Sequence, residues 1–247
     1  MKKKLNYNNP NNKFVGDNIV ASTSDWKFSG ETVVNFDTHI KKSIPLYEWS
    51  HEVSLKLSDF FLHEKTNIYD LGCSTGIFLK SLSLRSSSQK HTYYGLDEIN
   101  EMCKVAKKNN LKNNRVKILN KSIVDFNFKE TSFITSFYTM QFINPSKRQK
   151  IIDKIYKSLN WGGAFIIFEK VRAPDARFQD MIMQIYNEYK LDQGFSCQEI
   201  INKSMSLKGV MEPHSSAANF QMLRRSGFRD IITVLKFLNF EGFLAIK

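Results

Sequence analysis

Asn67-Ile68-Tyr69-Asp70-Leu71-Gly72-Cys73-Ser74-Thr75-Gly76 is the stretch that decides how this chain folds. A short apolar run reaches an acidic residue and breaks into a turn with glycines at Gly72 and Gly76. Apolar positions resume at Ile77, Phe78 and Leu82, a spacing that suits a helix. A strand, a tight loop of small residues and a helix N-terminus form a place where a nucleoside lies against bare backbone. A second apolar run, His91 to Leu96, ends in Asp97, whose carboxylate is positioned to accept both hydroxyls of a ribose. The pairing of glycine turn and downstream acid implies a nucleoside cofactor.

The loop chemistry narrows which nucleoside. A dinucleotide fingerprint needs G-x-G-x-x-G so that pyrophosphate touches the loop backbone. Here Ser74 takes the place of the middle glycine, and no Lys-Ser or Lys-Thr follows Gly76, so the P-loop pattern fails as well. Asp70 beside the loop disfavours a phosphate and suits a cation such as an ammonium or a sulfonium. The pattern D-x-G-x-S-x-G resembles motif I of class I S-adenosylmethionine-dependent methyltransferases, which implies S-adenosyl-L-methionine as cofactor and S-adenosyl-L-homocysteine as its product.

With 247 residues and 42% hydrophobic content, the chain is long enough for one sizeable α/β domain and short for two. We expect a flexible, solvated tail over residues 1–24 and a single domain over 25–247. No run approaches the ~18 apolar residues of a membrane span. The Lys- and Asn-rich start has no apolar segment of the secretory type. The three cysteines (Cys73, Cys103, Cys197) lie far apart without a C-x-x-C, so neither a disulfide framework nor a metal site is expected. A cytoplasmic setting follows. The formal charge is +12, gathered at Lys104, Lys107, Lys108, Lys112, Arg115, Lys117 and Lys121, and at Lys147, Arg148, Lys150, Lys154 and Lys157. A solvated helix surface is the preferred reading of these runs and an RNA-binding face the lesser one, because aromatic residues do not interleave with them.

Strand and helix patterns alternate along most of the chain. Strands are expected at Asn67 to Leu71, Thr92 to Leu96, Val116 to Leu119, Phe133 to Tyr138 and Ala164 to Phe168. Ile99, Met102, Cys103 and Ala106 fall at helical spacing. A further helix has Asn144 as N-cap, Pro145 at its first position and Ile151, Ile152, Ile155 and Leu159 on its apolar face; Gly162-Gly163 is expected to end it. Asp230 to Lys236 and Phe240 to Ile246 leave no room for a helix between them and predict an antiparallel hairpin. Between about 171 and 227 helices follow one another as an insert over the active-site end of the sheet. Ser196-Cys197-Gln198-Glu199 is a capping box, and Gly227 ends a helix near Ser216 to Ser226. The methionines Met181, Met183, Met205, Met211 and Met222 are expected to pack as core.

Several segments carry a closer likeness: Asp25-Trp26-Lys27-Phe28, Ser43-Ile44-Pro45-Leu46-Tyr47, Tyr69 to Ser74, Met140-Gln141-Phe142, Asp153-Lys154-Ile155-Tyr156, Gly162-Gly163, Glu169-Lys170, Gly194-Phe195-Ser196 and Val210-Met211. Over Asp25 to Lys247 the chain resembles the carboxy-S-adenosylmethionine synthases of wobble-uridine tRNA modification. The resemblance implies a Rossmann-like class I methyltransferase fold, with a seven-stranded, mostly parallel sheet, a terminal antiparallel hairpin and a helical insert. It also implies a homodimer through that insert. In that family a carboxyl group passes from prephenate to the methyl carbon of the cofactor.

The same likeness implies site residues one by one. Tyr47, Gly72, Cys73, Ser74 and Asp97 fall where that family holds the cofactor; Asp70 and Gly76 join them as cofactor candidates from the loop motif itself. Glu98 replaces an Asn beside the ribose carboxylate, Ser122 replaces an Asp at the adenine with Ile123 beside it, and Phe137 replaces a pocket Asn. The Arg that grips the added carboxylate falls at Ser204. Lys203, Arg172 and Arg177 are the cations that stand as candidates in its place, and Lys170 and Ser204 complete the candidate substrate contacts. Glu169 and His214 are the titratable candidates for catalysis, and no general base is identified. Because Ser204 lacks the guanidinium, methyl transfer to an unidentified small-molecule acceptor is the leading expectation. Carboxy-S-adenosyl-L-methionine synthesis is the first alternative, and a non-catalytic cofactor-binding partner protein the second.

Overall fold

The computed structural model describes residues 13–86 and 90–247. In chain order its elements begin with a short strand pair, β1 (Lys13–Phe14) and β2 (Val20–Ala21), followed by two helices, α1 (Glu31–Ser43) and α2 (Tyr47–Ser58). The alternating part runs β3 (Asn67–Leu71), α3 (Ile77–Arg85), β4 (Thr92–Asp97), α4 (Asn100–Asn109), β5 (Val116–Asn120), β6 (Thr131–Phe137), a 3₁₀ turn (Met140–Phe142), α5 (Pro145–Ser158) and β7 (Leu159–Lys170). The insert supplies α6 (Ala176–Asp192), α7 (Cys197–Ser206) and α8 (Ser216–Ser226), before the hairpin β8 (Asp230–Phe237) and β9 (Phe240–Ile246).

Seven strands form one sheet in the order β5-β4-β3-β6-β7-β9-β8. The pairs among β3 to β7 are parallel, and β9 joins β7 and β8 antiparallel. The sheet is mixed α/β with its hairpin where the sequence predicts it. Side chains alternate across the sheet with period two. Ile68, Phe133 and Ile166 face one core with Phe78, Leu79 and Leu82 of α3. Tyr69, Leu71, Ile134, Phe165 and Ile167 face a second core with Ile151, Ile152 and Ile155 of α5. Two covered faces explain why the strands read as near-continuous apolar runs. The chain turns from β3 to β4 and β5 on one side, then crosses to β6 on the other. That reversal opens a crevice at the carboxyl end of β3.

Local signals hold where they were strong. Asn144 caps α5 by accepting from Ser146 N at 3.0 Å, and Ser196 and Glu199 form the reciprocal capping box of α7. Two expectations fail. Of the tail expected over 1–24, residues 13–24 are folded (1–12 lie outside the described residues): Val15 and Ile19 are buried with Trp26, and Gly16, Asp17 and Asn18 take positive φ to turn the chain between β1 and β2. Gly162-Gly163 does not end a helix. α5 stops at Ser158, and the two glycines lie inside β7 at its register shift against β6, where Gly162 N donates to Lys247 O.

Candidate functional site

A cavity of about 1080 Å³ lies over the carboxyl ends of β3, β4 and β6, roofed by α1, α2 and the insert. The glycine turn builds its floor. Gly72 N and Cys73 N both donate to Leu96 O, at 2.8 and 2.9 Å, which ties the loop to the end of β4. Gly72 has φ +72, and a Cβ there would stand 2.3 Å from Thr139 Oγ1. Ser74 is also left-handed, at φ 52, a strain that concentrates at ligand loops. Gly76 precedes α3 and sits against Ala106 and Asn110 of α4. It shapes helix packing and does not line the cavity, whereas Tyr47, Asp70, Gly72, Cys73, Ser74, Asp97, Glu98, Ser122, Ile123 and Phe137 all do.

The two carboxylates of the floor differ. Asp70 is buried, and among the described residues its carboxylate accepts only from Thr135 Oγ1, at 2.8 Å. Burial raises its pKa to about 7 against the pull of that hydrogen bond, with the Asp97 charge adding to the rise. A carboxyl so placed is ready to ionise against an arriving cation. Asp97 accepts from Ser74 N through Oδ2 and from Ile99 N through Oδ1, each at 2.9 Å. It braces the loop with one hydrogen bond to each oxygen, which leaves each oxygen a further lone pair. Burial raises its pKa and the two backbone bonds oppose that rise. Burial between Asp70 and Asp97 pushes the Cys73 thiol up, so it stays protonated.

Part of the lining gathers cations at the insert and the end of β7, while Asp37, Glu48, Glu52, Glu199 and Glu212 bring acids to the same roof. Lys170, Lys190 and Lys203 line the cavity together with Arg172 and Ser204. Lys170 and Lys190 hold their ammonium groups 4.6 and 4.5 Å from the Tyr186 ring centroid. Lys203 stands 4.2 Å from the Trp26 ring centroid. None of the three has a carboxylate partner among the described residues. Burial lowers Lys170 and Lys190 to about 8 and Lys203 to about 7; the Lys190 charge also lowers both Lys170 and Lys203. Unpaired ammonium groups out of bulk water are costly, and an anionic ligand relieves that cost.

Glu169 and His214 stand elsewhere. Glu169 accepts from Met140 N and Gln141 N, at 2.9 and 2.8 Å, so it anchors the 3₁₀ turn beneath the cavity. Its pKa is raised to about 8 by burial, which outweighs the two backbone bonds. His214 receives Arg172 N at its carbonyl and lies outside the cavity lining, as does Arg177, whose guanidinium lies 5.0 Å from the Phe178 ring centroid. Of the methionines expected to form core, Met183, Met205 and Met211 line the cavity, Met222 is buried in the second core, and Met181 is exposed. Phe137, Tyr138, Phe142 and Tyr186 line it as well. The α5 basic run is partly internal: Arg148 is buried and donates to Ile143 O and Gln141 O.

Sequence reasoning missed His39, His51, Asp17 and Lys190. His39 follows Phe36 by one turn on the buried face of α1. His51 follows Tyr47 by four on α2, with its ring 4.6 to 5.3 Å from those of Tyr47, Phe78 and Phe137. The available signal was a histidine on an apolar helical stripe. Burial lowers His51 to about 4, so its imidazole is neutral. Among the described residues no group could hold a metal ion, and no helix is long and apolar enough to cross a membrane.

Comparison with known proteins places these features in a family context. A family model described as a methyltransferase domain matches residues 68–163, the stretch from β3 into β7. A carboxy-S-adenosyl-L-methionine synthase of Staphylococcus epidermidis is 40% identical over 223 residues, covering 90% of this chain and 97% of the relative. The synthase of the same name from Campylobacter jejuni subsp. doylei is 35% identical over 248 residues, the full length of both. Among solved structures, human N-acetylserotonin methyltransferase in complex with S-adenosylmethionine superposes with a TM-score of 0.60 at 15% identity, over 88% of this chain and 56% of that one. A methyltransferase from Aquifex aeolicus gives 0.57 at 18% identity, over 89% of this chain and 99% of that one. The structural likenesses establish the fold, and the full-length relatives the family.

Proposed function

This chain belongs to the carboxy-S-adenosyl-L-methionine synthase family of S-adenosylmethionine-dependent transferases, and from that premise we propose that it transfers a carboxyl group to the methyl carbon of S-adenosyl-L-methionine. The observation that carries the choice of chemistry is the trio of unpaired cavity lysines, Lys170, Lys190 and Lys203. The loss of a guanidinium at Ser204 made methyl transfer the leading sequence expectation. Three ammonium groups around the same cavity remove the reason for that order, because they offer the positive charge a carboxylate ligand needs.

The floor fits the nucleoside. Asp70 is poised to ionise against the sulfonium and ammonium, the Gly72–Thr75 backbone gives close approach, and Asp97 has free lone pairs toward a ribose. Ser122 and Ile123 stand for the adenine. S-adenosylmethionine supplies an acidified methyl group; prephenate supplies the carboxyl and leaves as phenylpyruvate, and the hydroxide lost from its ring takes up the methyl proton as water. The lysines hold the donor carboxylate that is retained in phenylpyruvate. The wall of His51, Phe78, Phe137 and Tyr138 presents apolar surface, which disfavours a charged carboxylate and so assists its loss as neutral carbon dioxide.

Two measurements test the reading. Mass spectrometry of ligand released from freshly purified protein should find the carboxylated cofactor, and prephenate with S-adenosylmethionine should yield phenylpyruvate. Unmodified or demethylated cofactor with no phenylpyruvate would return the reading to methyl transfer, which the uncharged Ser204 favours. A homodimer through the insert is part of the proposal. It is supported by Phe178, Met181 and Ile185, exposed at helical spacing on α6; Met181→Glu should give a monomer in light scattering. The three free cysteines agree with a reducing compartment.

A further inference from the structure

Lys203 has a neighbour that the other cavity lysines lack. Its Nζ is in hydrogen-bond contact with His39 Nε2. His39 is buried, and its Nδ1 lies 2.8 Å from Asp17 Oδ2. A carboxylate only accepts, so Nδ1 carries the proton and Nε2 presents a lone pair. The ring is wedged between Trp26, stacked at 5.9 Å, and the edge of Phe195 at 5.5 Å. Asp17 is itself fixed, with its Oδ1 accepting from Lys42 Nζ at 2.6 Å and its turn closed by Val15 N to Ile19 O. Ser43 Oγ completes the surroundings of Nε2, at 3.3 Å.

We propose that Lys203, oriented by the Asp17–His39 pair, is the cation that grips the carboxylate of the reaction in place of the guanidinium that position 204 lacks. The proposal rests on the carboxyl-transfer reading. A guanidinium arrives as a rigid fork, whereas an ammonium is a point charge on a flexible stem and needs a brace to hold one direction. His39 Nε2 takes one of its three N–H groups, and the Trp26 face confines the stem. The other two N–H groups have no hydrogen-bond partner among the described residues, and Lys203 lines the cavity. The brace works only while His39 is neutral. Burial holds its pKa to about 3, aided by the Lys203 and Lys42 charges against the pull of Asp17. Lys203 touches the ligand in this scheme, and His39 and Asp17 are positioning residues. The carboxylate has two sources, the donor and the carboxylated product.

The test compares binding of S-adenosylmethionine and carboxy-S-adenosylmethionine by calorimetry, with the prephenate KM as the donor arm. Lys203→Met should weaken the carboxylated form about 10- to 100-fold more than the uncarboxylated one, the worth of a charge-assisted hydrogen bond. Ser204→Arg added to Lys203→Met should recover most of that loss, which a merely structural lysine would not allow. His39→Phe alone should cost the carboxylated form about 3- to 10-fold, and nothing more when added to Lys203→Met. A prephenate KM raised in step would extend the grip to the donor; an unchanged KM would confine it to the product. Lys203→Met weakening both cofactor forms equally, or a His39→Phe effect that simply adds to it, overturns the inference and leaves carboxyl transfer standing. A wild-type protein that neither prefers the carboxylated form nor turns over prephenate brings down both.

Discussion

Replacing Asp70 by Asn keeps the shape of the cavity floor and removes only the capacity to ionise. In the ligand-free protein burial lifts this carboxyl from 3.8 to about 7. The stability allowed by its neutral form is complete below pH 3.8, is lost as pH rises through about 7, and changes no further above that. The interval is worth about 4 kcal/mol at about 1.4 kcal/mol per tenfold in proton affinity, so ligand-free Asp70→Asn should be more stable than wild type at pH 8 by about 2–4 kcal/mol and equal to it at pH 4. A cationic ligand reverses the sign, because it stabilises the ionised form. S-adenosylmethionine affinity of the wild type should therefore rise up to about tenfold per pH unit from 5.5 to 7 and flatten above, with about one proton released near pH 6. The histidines of the cavity, His39 near 3 and His51 near 4, do not titrate in this window. Calorimetry in buffers of different ionisation enthalpy reads affinity and proton release together. A flat wild-type profile, or the same slope in Asp70→Asn, would refute the assignment of Asp70 to the cation.

Gly72→Ala places a Cβ 2.3 Å from Thr139 Oγ1 at φ +72 and should lower stability by about 2–4 kcal/mol; Gly209→Ala, at the same φ with open space around it, should cost only about 1 kcal/mol in the same thermal melts. Asp97→Ala strips the acceptors of Ser74 N and Ile99 N and should weaken nucleoside binding by about 1–3 kcal/mol, read by equilibrium dialysis with adenosine and 2′-deoxyadenosine, whose difference should vanish in the variant. Glu169→Ala leaves Met140 N and Gln141 N without their carboxylate and should destabilise by about 2–4 kcal/mol, whereas an unchanged melting temperature would remove its anchoring role.

The parallel sheet was legible because its signals are local: apolar runs of strand length, a proline at the first position of α5, a capping box before α7, and the short connection of the hairpin. That Asp70, the glycine turn and Asp97 meet at one cavity floor was legible for the same reason, since they lie within one βαβ unit. The roof was not. Asp17, His39, Tyr186, Lys190 and Lys203 come from four segments that meet only after α1 and the insert close over the sheet. The hairpin at 13–21 has strands of only two residues each, too short for an alternating pattern to stand out, and its burial depends on α7, where Asn202 donates to Phe14 O. Gly162-Gly163 misled because a glycine pair after a helix also serves an irregular strand entry, and only pairing with β6 and the C-terminus distinguishes the two.

The cavity combines a buried carboxyl on its floor with three lysines that have no carboxylate partner among the described residues, and that combination constrains the ligand set more tightly than any single residue. A neutral methyl acceptor would account for the Asp70 face, which needs only the sulfonium and the ammonium of the cofactor. It would leave Lys170, Lys190 and Lys203 away from bulk water with no counter-charge, each held below its ordinary pKa at a cost to the fold. A dianionic donor removes that cost on entry, and a carboxylated sulfonium product places a cation against Asp70 and an anion toward Lys203 in one molecule. The product should therefore bind more tightly than the cofactor it is made from, and the excess should fall as pH rises past about 7, where Lys203 loses its proton in the empty site. An excess that instead grew with pH would mean that the lysines do not face the new carboxylate.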